Sequence, residues 1–318
     1  MLTSSRSWFS GRARFAAILG IVCAGLAAAG CSSSSSSGSS ASVAGSSSNP
    51  ASPTASARGS GPVNVLYAGS LVDLMQNQLG PAFQKAAGYS VTGFAGGSKE
   101  LASEIKGKVH QGDVFISASP KVNATLEGAA NGNWVSWYAT YATSGLVLGY
   151  NPASKFASDL KTRPWYQVIT EPGFRLGFTD PATDPKGALT VEALDDTAAS
   201  RHLPALKTLA GDKADVFPEE TLVGRLQSGQ LDAGFFYTSE ATAAKIATVP
   251  LTGVDLKATY TVTILNNAPH EAAAVAFVSY LLGSPGQSIL RQDGFTLVTP
   301  PKVTGSGVPA GLQSVLSS

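Results

Sequence analysis

The sequence is nearly without cysteine and has no surplus of either charge, and each shortage excludes a class of protein. Of two cysteines in 318 residues, Cys23 lies inside an N-terminal apolar run, which leaves Cys31 alone beyond it. A single thiol forms neither an intramolecular disulfide nor a thiolate metal site. Lys and Arg number 22 against 21 Asp and Glu, so the basic surplus of a nucleic-acid or polyanion binder is missing. The phosphate-loop pattern G-x-x-x-x-G-K-[ST] is also absent, although "GGSK" at Gly96 to Lys99 has part of its composition. The three histidines, His110, His202 and His270, lack metal-ligand spacing, and no serine sits in a strand-turn-helix G-x-S-x-G elbow for one of them to serve. They read as surface or capping residues. No apolar run reaches the ~20 residues of a membrane-spanning helix.

What is present begins with Arg6, Arg12 and Arg14, the apolar run Phe15 to Ala29, and "AAGC" at Ala28 to Cys31. This order reads as a secretion signal with a lipoprotein-type site, cleaved before Cys31 and lipidated there. Ala28 stands where a leucine is favoured, so ordinary cleavage within the alanine-rich stretch is the alternative. Removal of residues 1–31 leaves 19 basic against 21 acidic side chains. Residues 32–61 are almost entirely Ser, Gly, Ala and Pro, too poor in apolar surface to offset the entropy of ordering. They read as a flexible tether with a typical reach of roughly 30 Å. About 255 residues follow Pro62, enough for two packed α/β lobes held by burial alone.

Within them, short β-prone runs alternate with helical patterns. Val63 to Gly69 leads into a helical stretch from Leu71 that Pro81 kinks or restarts and Gly88 closes; Tyr89 to Gly97 leads into a helix from Ser98 to Lys106; Asp113 to Ser119 leads into a helix from Pro120. Strands are expected again at Ser144 to Tyr150, Arg175 to Asp180, Ala233 to Tyr237 and Tyr260 to Leu265. Helices are expected from Ala188, over Glu219 to Ser228, and over Glu271 to Leu282. This alternation predicts parallel-type sheets covered on both faces by helices. Glu219 and Glu220 read as first-turn charges favoured by the helix dipole, and Trp134, Trp137, Trp165 and Tyr166 as core or hinge packing.

Two turns share one grammar. "YAGSL" (Tyr67 to Leu71) and "GFAGGSKE" (Gly93 to Glu100) each join an apolar run through small residues and a serine to helix-forming residues. At the carboxyl end of a parallel strand, such a turn offers backbone N–H groups and the positive end of a helix to an anion, and two of them from adjacent strands converge on one crevice. Serine at such a place is also a common N-cap.

The order "LYAGSL", "GGSKELASEI", "DVFISAS", "LVLGYNP", "FTDPATDPKG", "LQSGQLDAGFFYTSEA" and "LLGSPGQSILRQDGF", running from Val63 to Phe295, resembles the periplasmic molybdate/tungstate-binding proteins of ABC importers, in particular their tungstate-type branch. The resemblance implies a two-lobed periplasmic-binding-protein fold (type II) with two crossing strands as hinge. It assigns 62–145 and 255–318 to lobe 1 and 146–254 to lobe 2. It further implies a monomeric, lipid-anchored extracytoplasmic protein without cofactor or catalysis that delivers its oxyanion to a membrane permease. Carried over residue by residue, it makes Ser70 and Ser98 hydroxyl and N–H donors, Asp184 a carboxylate ligand to the Mo or W centre, Lys186 a backbone donor of the "DPKG" turn, and Tyr237 the residue that closes the site. Where that branch carries a second coordinating glutamate next to the tyrosine, this chain has Phe236. Sulfate or phosphate binding, and a secreted α/β hydrolase, are the competing readings.

Overall fold

The computed structural model describes residues 59–317; Cys31 and most of the Ser/Gly/Ala-rich segment lie outside them. Ten strands among the described residues share one sheet path: β1 Pro62–Ala68, β2 Ser90–Gly96, β3 Val114–Ser117, β4 Trp137–Tyr150, β5 Leu176–Thr179, β6 Val216–Phe217, β7 Ala233–Tyr237, β8 Ala247–Pro250, β9 Lys257–Ile264 and β10 Thr296–Gly305. Their order is β2-β1-β3-β9-β4-β7-β5-β6, with β8 and β10 also paired to β4. The sheet is mixed. Pairing is parallel where helices connect the strands, at β1 with β2 and β3 and at β5 with β6 and β7. It is antiparallel around β4 and β9.

β4 divides the molecule into two halves. Its residues up to Gly145 pair with β9, and from Leu146 onward it pairs with β7 and β8. The returning chain between β8 and β9 runs beside it, since Leu146 N–H donates to the Leu256 carbonyl at 2.8 Å. The two halves are therefore joined by a pair of extended segments. Among the described residues no single helix is long and apolar enough to cross a membrane.

Burial follows the strand pattern. Val63, Val65, Val114, Ile116, Phe178, Phe235 and Val262 are buried along the strands, and Phe83 meets Phe277 edge to face with ring centroids 5.3 Å apart. Each half also ties down an aspartate just before a central strand. Asp113 accepts N–H bonds from Asn64 and His270, and Asp232 accepts from Arg175 and Ser154. The histidines take the surface and capping places expected of them: His270 is the N-cap of Glu271–Leu282, His202 ends Pro185–Arg201, and His110 lies against Phe94 with the ring planes inclined at 35°.

The helix expected from Ala188 begins three residues earlier, at Pro185, because Asp184 caps it and proline is accommodated in a first turn. Its start is pressed against the end of β5. A Cβ on Gly187 would lie 2.2 Å from the Thr179 carbonyl oxygen, whereas one on Gly224, in Glu219–Gln227, would meet nothing within 4 Å. Gly187→Ala is therefore expected to destabilise the protein by about 1–3 kcal/mol through overpacking. Gly224→Ala should stabilise it by up to about 1 kcal/mol. Urea unfolding of both variants checks the contrast, and equal effects would contradict the close approach.

Candidate functional site

The first half contributes the two serine turns. Ser70 lies in the 3-10 turn Gly69–Leu71 that follows β1, and Ser98 is the first residue of the helix Ser98–Lys106 that follows β2. Neither is an N-cap; those positions belong to Ala68 and Gly97, which make no side-chain capping bond. The Ser70 hydroxyl is instead 3.0 Å from the Tyr260 hydroxyl, and Ser98 Oγ accepts the Ala118 N–H at 3.1 Å. Both side chains are buried.

The second half brings Asp184, Lys186 and Tyr237 to the same place. Asp184 Oδ1 accepts the Lys186 N–H at 3.1 Å, while Asp184 Oδ2 is buried with no hydrogen-bond partner among the described residues. One oxygen caps the helix and the other is uncommitted. The segment before it presses on the first half: a Cβ on Gly97 would lie 2.6 Å from the Thr183 carbonyl oxygen and 3.2 Å from Asp184 Cβ, so only glycine permits this approach. Thr183 also accepts the N–H groups of Lys99 and Glu100, and Lys99 Nζ donates to the Pro181 carbonyl at 2.8 Å. Two of the helix N-terminal donors that an anion was expected to use are thus taken by a carbonyl from the opposite half.

Glu219 is the residue that sequence reasoning missed. It is not a solvated first-turn charge: it is buried, and its Oε2 accepts the Gly69 N–H at 2.8 Å across 150 residues of sequence. Its Oε1 has no hydrogen bond and lies 3.5 Å from Lys186 Nζ. The site therefore does hold a second carboxylate, supplied by the helix Glu219–Gln227 and not by position 236, where Phe236 is fully buried. Pro218 just before it was the available signal, since proline places the next residues in a helical first turn; nothing in the sequence says that this turn faces the other half. The Lys186 side chain, in turn, is fully buried and grips both Glu240 oxygens at 2.9 and 2.8 Å. Tyr237 is fully buried with its hydroxyl unpartnered, and its ring lies 6.1 Å from that of Tyr260, which completes the circuit back to Ser70. A cavity of about 290 Å³ reaches this centre between Gly97, Thr179, Asp184, Phe217 and Glu219.

The electrostatics are unusual for a buried centre, with three carboxylates and one ammonium. Burial holds the carboxyl groups of Asp184 and Glu240 above their ordinary range and Glu219 well above it. For Lys186 burial works the other way, but the carboxylates of Glu240, Glu219 and Asp184 outweigh it and hold the ammonium protonated. Unbonded buried oxygens at Asp184, Glu219 and Tyr237 are costly, at about 1–3 kcal/mol each, and their clustering marks a place built to hold a polar ligand. No group of three or more His, Cys, Asp or Glu able to hold a bare metal ion occurs among the described residues.

Known proteins resemble this chain closely enough to be compared. Residues 63–296 match the family of bacterial extracellular solute-binding proteins. The molybdate/tungstate-binding protein WtpA of Thermococcus kodakarensis is 25% identical over 236 residues, 58% of this chain and 66% of that protein. A Haloferax volcanii protein that carries the name of an ABC transporter molybdenum-binding protein is 30% identical over 222 residues, 69% of this chain and 66% of that one. Among solved structures, the periplasmic molybdate-binding protein of Azotobacter vinelandii has a TM-score of 0.58 at 22% identity, covering 74% of this chain and all of its own, a likeness of fold.

A prediction follows from the buried carboxylates. Because burial raises Asp184 above its unfolded value, the folded chain binds more protons than the unfolded one between those two values. Stability of the ligand-free protein must then fall as pH rises through that window. Asp184→Asn keeps a capping oxygen and removes the charge. Its melting temperature relative to the parent should therefore increase as the pH rises through that window, toward the side on which the carboxylate is ionised. Parallel curves in thermal melts across this range would mean that Asp184 titrates as a solvated group.

Proposed function

The chain belongs to the bacterial extracellular solute-binding proteins, and on that premise we propose that it captures molybdate or tungstate between two lobes and passes it to an ABC permease. The lobes are 62–145 with 255–318 and 146–254, and Cys31 carries the lipid that holds the monomer at the outer face of the membrane. The observation that carries the ligand assignment is the convergence of two buried, unbonded carboxylate oxygens, Asp184 Oδ2 and Glu219 Oε1, from different elements.

A carboxylate about 4 Å from a dianion at an effective dielectric near 20 repels it by roughly 8 kcal/mol. Sulfate, with a small saturated centre, cannot turn those oxygens into ligands and escapes the repulsion only where a carboxyl holds its proton. A Mo(VI) or W(VI) centre is larger and accepts further oxygen ligands, so the two carboxylates become bonds where they would otherwise be obstacles. Ser70 and Ser98 supply hydroxyl donors to the oxo groups from the first lobe, and the Tyr237 hydroxyl supplies one from the second. The Lys186 ammonium is engaged by Glu240 and does not serve as the counter-charge. Nothing at this centre pairs a nucleophile with a base in the manner a hydrolase requires.

Calorimetric titration with molybdate, tungstate, sulfate and phosphate tests the reading. Tight, stoichiometric binding of the first two is expected, and preference for sulfate or phosphate would overturn it. Ser70→Ala and Ser98→Ala should each weaken binding by about one to two decades, the worth of a bond to a charged group. Asp184→Ala should weaken tungstate and narrow its advantage over sulfate. If that variant binds both anions more tightly, or X-ray absorption of the parent complex shows an unmodified four-oxygen centre, carboxylate coordination is wrong. Solution scattering should register contraction at saturating tungstate, since contacts from both lobes stabilise the closed form.

A further inference from the structure

Lys186 and Glu240 present a problem of their own. A fully buried ammonium 3.5 Å from Glu219 Oε1 stands one oxygen away from the cleft. Left to itself it would attract every dianion alike, whatever its central atom, because Coulomb attraction does not depend on the chemistry of that atom. Glu240 prevents this. Its two oxygens hold Nζ at 2.9 and 2.8 Å, and the same carboxylate accepts the Tyr237 N–H at 3.3 Å, so it is fixed from two directions. The aromatic faces of Phe236 and Tyr237, with centroids 5.5 and 5.8 Å from Nζ, enclose the pair. The charged groups that face this ammonium are Glu240, Glu219 and Asp184.

We propose that Glu240 is a specificity-determining residue: by engaging Lys186 it withdraws the buried ammonium of the site from general anion attraction, so that selection falls to centres able to accept carboxylate ligands. This rests on the oxyanion reading above and extends it to a residue that does not touch the ligand. Repulsive elements of this kind raise specificity by weakening the wrong partner more than the right one. A residue with only a packing role would alter affinity for all anions in proportion.

Glu240→Gln keeps the shape and an acceptor oxygen for Lys186 while removing the charge. Calorimetry with sodium sulfate and sodium tungstate should show sulfate binding tightened by about tenfold or more, one 1.4 kcal/mol step in affinity, and the tungstate-to-sulfate preference reduced by at least that factor. Adding Lys186→Met to Glu240→Gln should abolish the sulfate gain, since the gain depends on the freed ammonium. An unchanged preference in Glu240→Gln, or a sulfate gain that survives Lys186→Met, overturns the proposal. Should Glu240→Gln fail to fold, Glu240→Asp draws the charge back by one methylene and must shift the preference in the same direction; no shift there overturns the proposal equally. Failure of the wild type to bind tungstate or molybdate would refute the ligand assignment, and it is read in a separate titration from the sulfate gain.

Discussion

Three carboxylates gathered around one buried ammonium constrain everything else at this centre. Burial of an unpaired charge is expensive, and ion pairs inside proteins recover that cost only with good geometry and further hydrogen bonds. Glu240 meets the condition through its bidentate grip on Lys186 and the Tyr237 N–H. Glu219 meets half of it through the Gly69 N–H, and Asp184 half through its own helix. What is left over is one oxygen without a hydrogen bond on each of two carboxylates that line the same cavity, that of Glu219 facing the Lys186 ammonium at 3.5 Å. The rest of the architecture can be understood as the means of keeping those two oxygens buried at one cavity.

That means is largely backbone. Gly97 and Gly187 each stand where a Cβ would collide with a carbonyl oxygen, so the turn after β2 and the start of Pro185–Arg201 come closer than any other residue allows. Thr183 then clasps the first turn of Ser98–Lys106 from the opposite half. β4 and the chain returning to β9 pass between the halves of the sheet, and one continuous cluster of buried hydrophobic residues lies on both sides of them. The aromatic contact between Tyr237 and Tyr260, with centroids 6.1 Å apart, adds an apolar link between the halves.

Sequence patterning revealed the elements with strong local signals and missed those decided by distant partners. The helix Ser98–Lys106 and the strand Ala233–Tyr237 have the expected bounds, and Gly88 ends its helix in the left-handed conformation. β4 is twice as long as the expected Ser144 to Tyr150, because its first half, rich in Trp and Tyr, reads locally as packing and becomes a strand by pairing with β9 and β10. β10 was hidden by Pro300 and Pro301. Proline argues against a strand interior, and the register of β10 against β4 shifts between Leu297 and Lys302, where those prolines lie. At the site, the paired turns singled out Ser70 and Ser98, whereas Asp184 and Tyr237 were reached only through the resemblance to molybdate/tungstate-binding proteins, Tyr237 being the last residue of a strand. Glu219 was reached by neither route, because its role depends on a hydrogen bond to Gly69 that spans 150 residues.

The same contacts explain why a turn that resembles a general anion cradle need not behave as one. The Gly69 N–H is taken by Glu219, and the N–H groups of Lys99 and Glu100 are taken by Thr183. The lysine that could have supplied positive charge is taken by Glu240. A site whose buried ammonium and part of whose backbone donors are engaged in this way, with Lys99 the remaining cation beside Asp184, has less to offer an anion as an anion. What it offers is oxygen: carboxylates at Asp184 and Glu219, hydroxyls at Ser70, Ser98 and Tyr237. Discrimination between tetrahedral anions of equal charge gains little from Coulomb attraction, which acts on all of them. It has to come from a difference in what their central atoms can bind, and on the proposed reading the carboxylates of Asp184 and Glu219 are the groups that would sense that difference.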